Sequence, residues 1–251
     1  MLHCLQISRL NKIIENTPNP RIGVVALSTD FTIEQDFRKI CNMLPIDIFV
    51  NRIPFENPLN QENYLKMINH LEEVVGNILP GERIDVVAYG CTSGTVAIGD
   101  EKISLKIQKA KPNCYTTTPI TASLRAFEKL NMKKIAVLTP YPKKVNETIF
   151  NYLINNNIEV ESFSSFNLNY DSEIAQIKPE NIIDQISEIN LDDVDGLFVS
   201  CTALKIVDVL DKAEQKFQTT IVSSNQAIIW DCLRLIKVNT GIKGFGKLLL
   251  N

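Results

Sequence analysis

Cys91 closes a run of strand-forming residues in DVVAYGCTSGT (85–95), and two hydroxyl side chains, Thr92 and Ser93, follow at once. Cys201 does the same in DGLFVSCTALK (195–205), with Thr202 behind it. A thiolate can take a proton from carbon or add to it, and a thiol can return a proton. Neighbouring hydroxyls can donate to an anionic group such as a carboxylate. The two segments match each other. Asp opens each, a Cys-Thr pair closes each, and Asp85 and Asp195 stand 110 positions apart. A helical pattern follows each pair. Unpaired N–H groups and the dipole at a helix start favour a thiolate, and they suit a bound carboxylate equally well.

The other candidates for chemistry are weaker. There are six cysteines, Cys4, Cys41, Cys91, Cys114, Cys201 and Cys232, with no CxxC pair among them. That spacing predicts free thiols and no disulfide framework. A lone free cysteine is usually a small buried hydrophobe. That reading serves Cys4, Cys41, Cys114 and Cys232, and Cys41 and Cys232 lie in helical patterns. Only two histidines occur, His3 and His70. His70 falls off the apolar stripe of Leu71, Val74 and Val75, which predicts a solvated surface position. A Cys-His dyad, a His-based triad and a zinc site are therefore disfavoured.

The elements that must position the two thiols alternate. Strand-like runs occupy 21–28, 46–53, 85–90, 134–140, 160–166, 196–201 and 219–224. Most are continuous and rich in Val and Ile, as parallel strands covered on both faces are. Helical patterns lie between them, so the predicted class is α/β. The order is also duplicated: RIGVVALSTD opens the first half much as KKIAVLTPYP opens the second. Two motifs in the same order at nearly the same offset predict two similar lobes. We expect residues 1–121 plus 225–251 to form the first lobe and 122–224 the second, with a helix from about Thr121 at the junction. NQAIIWDCLRLIKV is a helix that could return to the first lobe. Ligands bind at the carboxyl edge of an open parallel sheet, where both thiols fall.

Composition narrows the partners. A 251-residue chain with 45 % hydrophobic residues can bury one large core or two small ones. The net charge is −3 and no long run of like charge occurs, so nucleic acid and anionic membrane are poor partners. No apolar stretch approaches the ~20 residues of a membrane span. The N-terminal MLHCLQISRLNKIIEN predicts a short helix and lacks the pattern of a signal peptide. A cytoplasmic location is expected.

The segments AYGCTSGT, LTPYPKKVNE and GLFVSCTALKIVDVLDKAE resemble the aspartate/glutamate racemase superfamily, within it the branch of maleate cis-trans isomerase and arylmalonate decarboxylase. CTSGTVAIG is similar to the ectoine-utilisation proteins of that branch. The resemblance implies two flavodoxin-like lobes with pseudo-twofold symmetry, an active site in the cleft between them, and no metal or organic cofactor. It implies a small carboxylate substrate, a place in ectoine-related catabolism, and a homo-oligomer, dimer or higher. Cys91 and Cys201 match the two catalytic cysteines that face each other across the substrate. Thr92, Ser93, Tyr141 and Thr202 match positions of the substrate pocket, though Tyr141 also suits a turn between Pro140 and Pro142.

Ser223 and Ser224 suit either the pocket wall or a helix cap. Asp30 departs from the pattern, since maleate isomerases carry asparagine there. It either caps the helix that follows or faces the cleft, where it would favour an amine or hydroxyl over a second carboxylate. Asn167 and Asn169 are both candidates for a second-lobe asparagine. The resulting expectation is a cofactor-independent isomerase or racemase. A decarboxylating lyase, whose relatives keep only the second thiol, and a non-catalytic metabolite-binding protein are the alternatives.

Overall fold

A computed structural model describes residues 19–251. The expected N-terminal helix, with His3 and Cys4, lies outside them. The first half contains β1 (Arg21–Leu27), α1 (Ile33–Cys41), β2 (Asp47–Ile53), α2 (Gln61–Lys66), α3 (Ile68–Gly76), β3 (Val86–Gly90), α4 (Thr92–Ile98), α5 (Asp100–Ala110) and β4 (Tyr115–Thr117). The second contains α6 (Pro119–Leu130), β5 (Lys134–Thr139), α7 (Lys143–Asn155), β6 (Glu159–Ser165), α8 (Asp171–Ile174), α9 (Pro179–Ser187), β7 (Gly196–Val199), α10 (Leu210–Phe217), β8 (Ile221–Ser223) and α11 (Ser224–Leu235). The strands form two parallel four-stranded sheets of identical order, β2-β1-β3-β4 and β6-β5-β7-β8. This is the flavodoxin-like winding, with β1 and β3, or β5 and β7, at the switch point where ligands bind.

The repeated aspartates have a structural task. Asp85 accepts the Arg21 N–H at 2.8 Å, and its own N–H donates to the Arg21 carbonyl at 2.9 Å. Asp195 accepts the N–H groups of Lys133 and Lys134 at 2.7 and 2.8 Å. Each aspartate thus fastens the start of the thiol-bearing strand to the start of the central strand beside it. The thiol at the far end inherits that register.

Two elements differ from the sequence expectation. β4 is a three-residue edge strand, Tyr115-Thr116-Thr117, too polar to stand out as a buried run. Helix α6 begins at Pro119, ahead of Thr121, because Thr118 and Thr121 form a reciprocal capping box that places proline in the first turn. Helix α11 is buried along Ser224–Leu233 and packs against α6, β3, β4, α1 and β8, elements of both halves.

Gly196 opens β7 under a close backbone approach. A Cβ there would lie 2.5 Å from the Thr220 carbonyl oxygen and 2.6 Å from Met132 Cε. Gly196→Ala is expected to cost about 1–3 kcal/mol, because overpacking must part β7 from the chain entering β8. Urea unfolding checks this, and an unchanged midpoint would refute the close approach.

Candidate active site

Cys91 is the N-cap of α4, with extended φ −143° and ψ 114°. That conformation turns its side chain back over the helix start, where Sγ accepts the Gly94 N–H at 3.2 Å. Ser93 Oγ lies 3.9 Å from the sulfur. Glycine at 94 is a packing requirement. A Cβ would sit 2.8 Å from Cys91 Sγ, 2.7 Å from Met67 Cε and 3.1 Å from the Tyr89 hydroxyl. Gly94→Ala should therefore displace the sulfur, and misplacing a reacting group by ~1 Å costs on the order of a hundredfold in rate. Steady-state kinetics on the folded variant would show it, and wild-type turnover would refute it.

Cys201 follows β7 with φ 144°, a region almost reserved for glycine. The surroundings hold it there. Ser224 Oγ accepts its N–H at 3.0 Å, and the Ala203 N–H reaches Sγ at 3.4 Å. Ser224 also accepts the Thr92 hydroxyl at 3.0 Å. One serine at the start of α11 thereby joins the backbone of one thiol to the residue beside the other. Ser223 takes the cap of α11. Thr202 donates across the cleft to the Gly90 carbonyl at 3.3 Å, and Thr32 donates to the Ala203 carbonyl at 3.0 Å. The carboxyl edges of the two sheets are stitched together around the thiols.

The other expected site residues gather here in different ways. Ser93 lies beside Cys91, whereas the Thr92 hydroxyl is committed to Ser224. Tyr141 holds a turn and lies beside a thiol. Its carbonyl accepts Asn146 Nδ2 and Ser165 Oγ, each at 2.7 Å, which fixes the turn, while its buried phenol lies beside Cys201. Asp30 also has two faces. Oδ1 accepts the N–H groups of Thr32 and Ile33 at 2.7 and 2.8 Å at the start of α1, and the buried Oδ2 has no partner. Asn167 and Asn169 are exposed.

Two buried residues complete the group, and the sequence did not single them out. Tyr64 on α2 places its phenol near Ser93 and both thiols. Asp171 opens α8, accepts the Thr29 hydroxyl and acts electrostatically on Cys91, Cys201 and Asp30. Asp171 reads as an ordinary helix start and Tyr64 as one residue of an apolar helical stripe. Only the meeting of the loops after β2 and β6 brings them in, where the Leu59 N–H donates to the Asn169 carbonyl at 2.9 Å and the Asp171 N–H to Asn57 Oδ1 at 3.2 Å.

The charge state differs from the helix-start expectation. Burial pushes the Cys91 thiol up to about 12, and Asp171 and Asp30 add to the rise. The Gly94 N–H and Ser93 pull it back only in part. Burial pushes Cys201 up as well, against the Ala203 N–H and the Tyr141 phenol. Both thiols rest protonated, because desolvation of a thiolate outweighs one or two donors. Asp30 is raised to about 6 by burial, which exceeds the effect of its two backbone donors. Among the described residues no cluster of three His, Cys, Asp or Glu side chains is arranged to hold a metal, and no helix is long and apolar enough to cross a membrane.

Fold and site together define a class: two parallel α/β lobes of the same winding that present a buried thiol from each facing edge. Within it the chain belongs to the arylmalonate decarboxylase family, whose model matches residues 59–249. It is 22 % identical to the maleate isomerase of Alcaligenes faecalis over 243 residues, covering 91 % of this chain and 96 % of that one. The structure of the maleate isomerase from Pseudomonas putida S16 superposes with a TM-score of 0.85 at 20 % identity, covering 92 % and 98 % of the two chains. A cysteine-to-serine mutant of the Nocardia farcinica maleate cis-trans isomerase, with a covalently bound succinylcysteine intermediate, gives a TM-score of 0.85 at 18 % identity and the same coverage.

Proposed function

We propose that this chain is a cofactor-independent isomerase that acts on a small carboxylate through Cys91 and Cys201. The observation that carries the reading is the pairing itself. Two buried thiols come from equivalent sheet edges, each has a backbone N–H on its sulfur, and Ser224 ties their supports together. In such a pair one thiol first releases its proton to solvent, and the resulting thiolate removes an α-proton or adds to a double bond. The other, still protonated, delivers a proton. The two titrate as a coupled unit. Ser93, Tyr64 and Tyr141 supply donors for the substrate carboxylate, and Thr202 and Ser224 hold the frame. The succinylcysteine in the Nocardia farcinica structure supports sulfur–carbon chemistry in this fold. A decarboxylase delivers a proton to one face only, which leaves the second thiol without a task.

Proton NMR in D₂O with maleate, aspartate, hydroxy acids and an arylmalonate tests the reading. Deuterium entering at an α-carbon, or maleate becoming fumarate, supports it when both Cys91→Ala and Cys201→Ala lose the signal. Carbon dioxide loss that survives Cys91→Ala would replace it with the lyase.

A further inference from the structure

Asp30 and Asp171 come from opposite halves of the chain and meet at the thiols. Each is almost wholly buried, at 2 % and 4 % exposure. Thr29, next to Asp30, donates its hydroxyl to Asp171, so the two carboxyl groups are held by adjacent residues of one loop. Both act on both sulfurs. Among the described residues no lysine, arginine or histidine donates to either carboxyl group. Arg52 donates to the Leu27 and Asp30 carbonyls and to Glu34.

Helix capping explains only half of Asp30. One oxygen takes two backbone N–H groups, and the other is buried with no partner. The Thr202 hydroxyl beside it is directed at Gly90. The Tyr64 hydroxyl is a second buried polar atom of the same site without a partner. One vacant acceptor and one vacant donor therefore flank the thiols. Buried polar atoms left unpaired are costly and call for a partner.

We infer, building on the two-thiol reading, that Asp30 and Asp171 form an ammonium-recognising end of the cleft, so that the substrate is an amino-bearing carboxylate. The ammonium donates to the free oxygen of Asp30 and lies in the field of Asp171. The substrate carboxylate accepts from the Tyr64 hydroxyl, which stands near Ser93 and both thiols. A dicarboxylate would instead bring a second negative charge against two buried carboxyl groups. An ammonium seated there also opposes the field that the two aspartates add to the effect of burial on the thiols, so substrate entry favours formation of the thiolate.

The test is binding by calorimetry at millimolar concentrations, with L-alanine, L-aspartate and L-lysine against maleate and succinate. Wild type is compared with the double variant Asp30→Asn, Asp171→Asn and with Cys91→Ala. Wild type should bind at least one amino acid better than either dicarboxylate. The double variant should shift that preference toward the dicarboxylates by on the order of tenfold or more. A wild type that prefers a dicarboxylate, binds none of the amino acids, or keeps its preference in a folded double variant overturns the inference. The two-thiol reading fails separately: amino acids would bind with the expected preference, yet α-deuteration in D₂O would be absent from wild type or unchanged in Cys91→Ala.

Discussion

Cys91→Ala and Cys201→Ala should each reduce turnover by on the order of a thousandfold or more, while the chain stays folded. A positioned acid or base contributes ~10²–10⁴ in rate, and here each sulfur serves a step the other cannot reach. The combined variant should be little worse than either single one, because groups that act as a unit do not add. Cys201→Gly makes a sharper control. Cys201 has φ 144°, a conformation that costs a residue with a Cβ ~1–3 kcal/mol and glycine far less. Cys201→Gly should lose turnover as fully as Cys201→Ala and yet unfold at higher denaturant than Cys201→Ala. Turnover in D₂O and urea melts on the same preparations read both quantities. Residual activity within tenfold of wild type in either alanine variant would sink the paired-thiol mechanism.

The second large effect concerns stability and pH. Asp36 on α1 is buried against α11 and accepts Asn225 Nδ2 at 2.8 Å. Burial raises it to about 7, against the opposing pull of Asn225 and Lys39, with Asp208 and Asp30 adding to the rise. The folded chain therefore keeps a proton that the unfolded chain releases near 3.8. The sign follows from linkage: where the native state binds more protons, stability falls as pH rises. The contribution is fully present below about 3.8 and lost as pH climbs through about 7. Asp30 acts in the same direction up to about 6. At ~1.4 kcal/mol per unit, Asp36 alone is worth on the order of 4 kcal/mol across that window. Asp36→Asn keeps an acceptor for Asn225 and has no proton to lose. It should be more stable than wild type at pH 8, with a gap that narrows toward pH 5. Urea unfolding of both proteins at the two pH values measures this, and equal slopes would show that Asp36 is ionised in the folded state.

Much of this architecture was legible from single runs of residues. RIGVVAL and KIAVLT read as buried parallel strands because both faces of each are covered, so no polar alternation interrupts them. The strand at Tyr115–Thr117 was not legible, since an edge strand of three residues carries too little apolar signal. The thiols were found through repetition: the same Asp-strand-Cys-Thr order occurs twice, and both aspartates turn out to fasten their strands to a neighbour. Asp30 was visible as a question, helix cap or cleft residue; its Oδ1 takes the cap, and its Oδ2 is buried without a partner.

Tyr64 and Asp171 were beyond reach for a definite reason. Thr29 and Asp171 are 142 positions apart, and no local pattern reports which loops close over a cleft. The sequence by itself determined the α/β class, the duplication and the two thiols at strand ends, because these follow from local periodicity and from order along the chain. Only the tertiary structure decided which carboxyl groups stand beside those thiols and that both thiols rest protonated. Desolvation and charge proximity belong to the neighbours a residue acquires on folding, and those neighbours come from distant parts of the chain.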